Sequence, residues 1–284
     1  MESMDGFTDV SPEVGQFDEV LFADKLDEDP DAAMGLLAEL TSATDPALRQ
    51  IARRIAARLF LAIARHEKPT DRGIGRIKTQ RYEPGRGDID LDASLGAIIE
   101  AKSANELVDP EALSIRSWAS PKVAWCLLVD RSGSMQGQPL ATAGMAAAAV
   151  AGRNPDEYAV LSFGKTVIAP KAMWEQRSAE NVIERTLSLR GHGTTDVAAA
   201  LRAAAAQHHH ASAPRRITVL LSDCRATEPG DVVAAARMLD DLVIIAPAGD
   251  HADAVSLADQ SGVRWTTVDG PASLPEAFAA VLDH

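Results

Sequence analysis

The spacing of apolar and polar positions divides the chain near residue 120. Beyond that point short apolar runs alternate with stretches of helical spacing. Residues 123–130, 217–222, 242–246 and 263–268 read as strands, and the first is a continuous apolar run that does not alternate with polar residues. Such runs mark strands buried on both faces. Between and after them, helices are predicted over about 139–153, 178–189, 197–209, 231–239, 251–260 and 273–282, with Pro139 suited to a first helical turn. Residues 158–163 and 166–169 around Gly164 predict a hairpin that puts one antiparallel strand at an edge. The sum is an α/β fold, a doubly wound, mostly parallel sheet covered by helices on both sides.

The first 118 residues follow another pattern and predict a smaller, mainly helical region, so the boundary is expected between 1–118 and 119–284. Residues 32–40 and 46–66 have helical spacing, and in the second of these Leu48, Ile51, Ile55, Leu59 and Ile63 fall on one face. Arg49, Arg53, Arg54 and Arg58 surround it. That face has to meet another helix or a partner. A Gly-rich connection is expected over 72–87, then Asp88-Ile-Asp-Leu-Asp92 alternates charge and aliphatic residues as an edge strand or hairpin would. A helix resumes over 93–102.

The candidate chemistry lies where apolar strands stop. Val123–Asp130 ends in an aspartate, and Ser132 and Ser134 follow at alternate positions. Open α/β sheets place ligands at the carboxyl ends of their strands. A second run, Arg216-Ile-Thr-Val-Leu-Leu-Ser-Asp223, also ends in an aspartate, and Gly191-His-Gly-Thr-Thr195 opens a helix. All three segments predict side chains at one sheet edge. Their donors are hard oxygens with no imidazole or thiolate, which suits Mg²⁺ or Mn²⁺.

These three motifs, in this order, resemble the von Willebrand factor A domain, whose metal-ion-dependent adhesion site uses Asp-x-Ser-x-Ser, then a Thr, then an Asp. The family's threonine is followed six positions later by an aliphatic residue. Leu201 selects Thr195 over Thr194, which stands where a second glycine is common. The resemblance implies a metal site of Asp130, Ser132, Ser134, Thr195 and Asp223, with a coordination position left for a partner's Asp or Glu carboxylate. The arrangement of a helical front, a Gly/Asp segment and a C-terminal A domain is similar to CoxE-like proteins, which accompany MoxR-type AAA+ ATPases. The magnesium chelatase D subunit shares the same C-terminal domain. The implied role is a non-enzymatic adaptor, working with such an ATPase or its client in protein maturation or cofactor or metal insertion.

Composition narrows the alternatives. With 284 residues, 46% of them hydrophobic, a packed core is within reach. A net charge of −13 argues against nucleic acid and anionic membrane as partners. Residues 1–40 hold twelve acidic side chains against one Lys25, and predict a solvated N-terminus. No run approaches the ~18 apolar residues of a membrane span, and no basic-then-apolar leader is evident. Cys126 and Cys224 are expected as free thiols, which fits a cytoplasmic protein. A Mg²⁺-dependent phosphoester hydrolase is the alternative, with His192 as its one obvious base. Ser132 replaces the second carboxylate of a phosphotransferase Asp-x-Asp, and no phosphate-binding Gly-Lys loop is present. His208, His209 and His210 point about 100° apart on a helix and cannot converge on one ion. Arg86-Gly87-Asp88 spells an integrin tripeptide by coincidence, and Asp88, Asp90 and Asp92 are expected on a solvated strand face.

Overall fold

The computed structural model describes residues 19–42, 46–66, 76–82, 88–119, 122–131, 137–191 and 193–282. The chain forms two compact units, 1–68 with 123–284, and 69–122. This corrects the expected boundary. The N-terminal helices belong with the sheet, and the intervening segment stands as its own unit. In chain order the elements of the larger unit's front are α1 (Glu19–Glu28), α2 (Pro30–Leu40) and α3 (Pro46–His66). Within the acidic start, expected to be solvated, α1 is mostly exposed and buries Phe22; residues 1–18 lie outside the described residues.

The smaller unit holds β1 (Arg76–Arg81), β2 (Asp88–Ile89), α4 (Leu91–Ala104), a 3₁₀ turn at Pro110–Ala112 and β3 (Ser114–Ala119). Its sheet is antiparallel, in the order β1-β3-β2. Strand β1 occupies part of what reads as a Gly-rich connection. Strand β2 stops after two residues because Asp90 leaves the strand to cap α4, accepting from Ala93 N at 3.2 Å. The Asp90 carboxylate also accepts from Thr79 Oγ1 and Arg116 Nε, and these bonds, Thr79 first, lower its pKa. Asp92 pairs with Arg116. The three alternating aspartates therefore part ways: Asp88 is exposed on the short strand β2, Asp90 is buried as the cap of α4, and Asp92 is exposed in the first turn of that helix.

The larger unit continues with β4 (Val123–Asp130), α5 (Gln138–Arg153), β5 (Tyr158–Phe163), β6 (Val167–Lys171), α6 (Ala179–Leu187), α7 (Val197–His208), β7 (Arg215–Leu221), α8 (Val232–Ala236), β8 (Leu242–Pro247), α9 (Ala252–Ser261), β9 (Arg264–Val268) and α10 (Leu274–Leu282). The six strands run in the order β6-β5-β4-β7-β8-β9. All neighbours are parallel except β6, which lies antiparallel to β5 at the edge, as the hairpin pattern predicts.

Two apolar layers cover the sheet. Trp125, Leu127 and Val129 of β4 face the layer that contains α2, α3, α5, α6 and α10. The intervening Ala124, Cys126 and Leu128 face α7, α8 and α9. Helix α5 is buried from Leu140 to Ala151 without a break. A helix apolar all round has to be enclosed on every side, and the N-terminal helices complete that enclosure. The expected stripe on α3 is turned by about one residue: Leu48, Ala52, Ala56 and Phe60 are buried, whereas Ile51 is 39% exposed. Small alanines let α3 approach α5, and a Cβ added to Gly144 would stand 2.7 Å from Phe60 Cε2 and 2.9 Å from Leu187 Cδ2.

Two predictions follow from this packing. Gly144→Leu should overpack the α3–α5–α6 junction and cost roughly 1–3 kcal/mol, measured by chemical denaturation. His208 is buried, its Nε2 lies 2.9 Å from Thr218 Oγ1, and burial, with Arg216 nearby, pushes its pKa down to about 4. Its neutral form is favoured in the fold, so its contribution is complete above the unfolded pKa near 6.5 and is lost as pH falls toward 4. The loss should approach about 3 kcal/mol. Stability curves of wild type and His208→Gln between pH 4 and 7 check this, with the variant flatter.

Candidate metal centre at the sheet edge

Asp130 is the last residue of β4, and its register against β5 and β7 puts it at the carboxyl edge. Beyond Leu221, the end of β7, come Ser222 and Asp223. Ser222 Oγ donates to Asp130 Oδ2 at 2.6 Å and accepts from Cys224 N at 2.9 Å. One hydroxyl thus ties the end of β4 to the turn that carries Asp223. That turn is tight: Cys224 has φ +63°, and Arg225 N donates to Asp223 Oδ1 at 3.0 Å. Asp130, Ser222 and Asp223 line a single cavity of about 480 Å³. Gln138, Pro139 and Thr142 from the start of α5 form one wall, and Val268, Asp269 and Gly270 form another.

Thr195 sits in the loop before α7 and is buried. Its carbonyl accepts from Thr227 N and Glu228 N, and its own N donates to Thr227 Oγ1 at 2.7 Å. Thr194 turns its hydroxyl to Glu228 at 2.5 Å. The loop is therefore fastened to the segment just after Asp223, and Thr194 is engaged elsewhere. Asp196 N donates to Gly164 O, which joins the same loop to the β5–β6 turn. Thr195 is not among the residues lining the cavity that Asp130 and Asp223 share. Ser132, Ser134 and His192 lie outside the described residues.

The donor types in the cavity are those a hard divalent cation takes: two carboxylates from neighbouring strand ends with hydroxyl and amide oxygens. Among the described residues no three or more His, Cys, Asp or Glu are gathered closely enough to hold a metal ion by themselves, in this cavity or elsewhere. Cys224 supplies no thiolate, because burial, followed by the charges of Asp223 and Asp130, pushes its pKa up. Cys126 is raised by burial alone. The three histidines diverge as expected. His208 points to Thr218, His209 caps the end of α7, and His210 meets Trp174 edge-on.

Several participants were not singled out from the sequence. Ser222 reads as the last strand residue, yet it orients Asp130. Asp250 and Asp269 follow β8 and β9 just as Asp223 follows β7, and both line the cavity. The repeated signal of a strand ending and then an aspartate was there to be found. Arg225 pairs with Asp250 at 3.0 Å and Asp253 at 3.4 Å, which raises its pKa and holds the guanidinium at this rim.

A family model described as VWA domain containing CoxE-like protein matches residues 61–255. The chain belongs to this family. No curated protein matches it. Among solved structures, the chain is similar to an aerotolerance-related membrane protein from Bacteroides fragilis, with 18% identity, 57% of this chain and 99% of that one covered, and a TM-score of 0.45. It is also similar to the conserved hypothetical protein BatB from Bacteroides thetaiotaomicron, at 17% identity, 57% and 98% coverage and a TM-score of 0.45. A von Willebrand factor type A protein from Catenulispora acidiphila matches at 18% identity over 58% of this chain and 42% of that one, again with a TM-score of 0.45. Among the described residues of this VWA-domain protein, no helix is long and apolar enough to cross a membrane.

The thiols give a direct check on the site's chemistry. Cys126 and Cys224 should both resist a neutral-pH thiol reagent in the folded protein and react together once denaturant is added. Fast labelling of Cys224 in the native state would contradict the description of the turn.

Proposed function

We propose that this protein is a metal-dependent adaptor. A Mg²⁺ or Mn²⁺ ion held by Asp130, Ser132, Ser134, Thr195 and Asp223 offers a vacant position to the carboxylate of a partner protein. The observation that carries the reading is the pair Asp130 and Asp223, which come from neighbouring strand ends, are linked through Ser222 and open on one cavity. Two carboxylates balance the charge of a divalent ion, and the remaining ligands are neutral, so the ion keeps its pull on an incoming acid group. An octahedral Mg²⁺ retains exchangeable water. Membership of the CoxE-like family supports a MoxR-type AAA+ ATPase, or its client, as the partner. In this role the ATPase performs the work, in protein maturation or cofactor or metal insertion in the cytoplasm, and this chain supplies contact without turnover of its own.

The test is capture of a purified MoxR-type AAA+ ATPase by the immobilised protein in Mg²⁺ buffer. Asp130→Ala, or chelation of the metal, should lower capture at least about tenfold, the scale of losing a metal-bridged charge contact. Equal capture by wild type, variant and chelated protein would remove the metal from the interaction.

A further inference from the structure

Helix α2 lies outside the strand-end motifs, yet it touches both walls of the cavity. At its first turn the Asp31 carboxylate accepts from Ala272 N at 2.7 Å. A Cβ at Gly270 would stand 2.5 Å from Asp31 Oδ1, so only a glycine lets that carboxylate come so close. Gly270 and its neighbour Asp269 line the cavity. One turn further along α2, a Cβ at Gly35 would meet Gln138 Cγ at 3.1 Å and Gln138 N at 3.3 Å. Gln138 also lines the cavity, from the start of α5. At the end of the helix, Glu39 reaches Gly137, where a Cβ would stand 2.9 Å from its Oε1. Gly137 has φ +61° and begins α5. The helix itself is anchored: Thr41 Oγ1 bonds Ala38 O and Leu187 O, and Met34, Leu37, Ala38 and Leu40 are buried in the core.

We propose that α2 is a clamp across the cavity, with Asp31 and Gly35 as positioning residues that set how tightly the cavity holds a divalent cation. The proposal rests on the metal reading above. The start of α5 and the β9–α10 turn belong to different elements, and α2 bridges them with one hydrogen bond and one close backbone approach. A cavity whose walls are already spaced loses less freedom on binding an ion than one whose walls have to be brought together. Coupling between two sites of this kind is reciprocal, so an ion in the cavity also secures α2. The acidic N-terminal segment thereby becomes a handle on the metal site, because a partner that pulls on α2 alters cation affinity.

Mn²⁺ binding by calorimetry on the full chain tests this. Asp31→Ala should bind Mn²⁺ roughly three- to tenfold more weakly, as expected when one hydrogen bond stops restraining a wall. Asp31→Asn keeps an acceptor oxygen and should retain wild-type affinity. Gly35→Leu wedges α2 away from Gln138 while keeping the Asp31 side chain, and should weaken binding in the same direction. His208→Ala lowers thermal stability at a site away from the cavity walls and should leave Mn²⁺ affinity unchanged. If wild type and Asp130→Ala bind Mn²⁺ equally, the metal reading falls and the clamp with it. If Asp130→Ala loses binding but Asp31→Ala and Gly35→Leu match wild type, the clamp alone is overturned. Equal weakening by His208→Ala would also overturn it, since general loosening would then account for the effect.

Discussion

Strand β4 is dry on both faces, and the rest of the molecule is arranged around that condition. Six successive residues from Ala124 to Val129 are buried, three toward each helical layer. A polar side chain within that run would be buried without water, at a cost of several kcal/mol unless paired. Polar chemistry is therefore displaced to the strand's end, where Asp130 is half-buried and meets Ser222 from the neighbouring strand. The same condition acts on β7, and Asp223 appears just beyond it. A parallel sheet puts all such ends on one side, so the acidic groups converge without any one segment encoding the convergence.

Covering β4 on one side requires α5, and covering α5 requires more than the strand-helix alternation supplies. Twelve consecutive residues of α5 are buried, most of them alanine, and they leave room for close neighbours but bury little surface each. Helices α2 and α3 complete the layer, with Phe60 against Gly144. The N-terminal helices thus belong to the core of the larger unit. This is also what brings Asp31 and Gly35 to the cavity: a helix recruited for packing arrives beside the strand ends.

The electrostatics of the edge are mixed, though the chain carries −13. Arg225 binds Asp250 and Asp253 and its backbone N donates to Asp223, while the Asp130 carboxylate accepts from Ser222. Elsewhere charge is handled by burial. Lys171 is 1% exposed and donates to Tyr158 O at 2.6 Å, with its Nζ 4.2 Å from the Tyr158 ring, and burial lowers its pKa to about 8.

The sequence by itself determined the order of strands and helices beyond residue 120, the edge position of the antiparallel strand and the placement of Asp130 and Asp223 at strand ends. Those features are written locally, in unbroken apolar runs and in the residues that stop them. It also carried the Thr195 motif, whereas the structure has Thr195 buried and outside the lining of the cavity that Asp130 and Asp223 share. Tertiary structure alone decided which face of α3 is buried, since Ile51 and Ala52 differ in apolar surface but Ala52 is the one small enough for the contact with its neighbours. It also decided that β1 forms within 76–81, because a short polar strand is stabilised by its partner β3 and not by its own pattern. The separation of 69–122 from the N-terminal helices, the Ser222 link and the reach of Asp31 to Ala272 were decided there too. Each depends on residues tens to hundreds of positions apart, brought together only when the two faces of the sheet are covered.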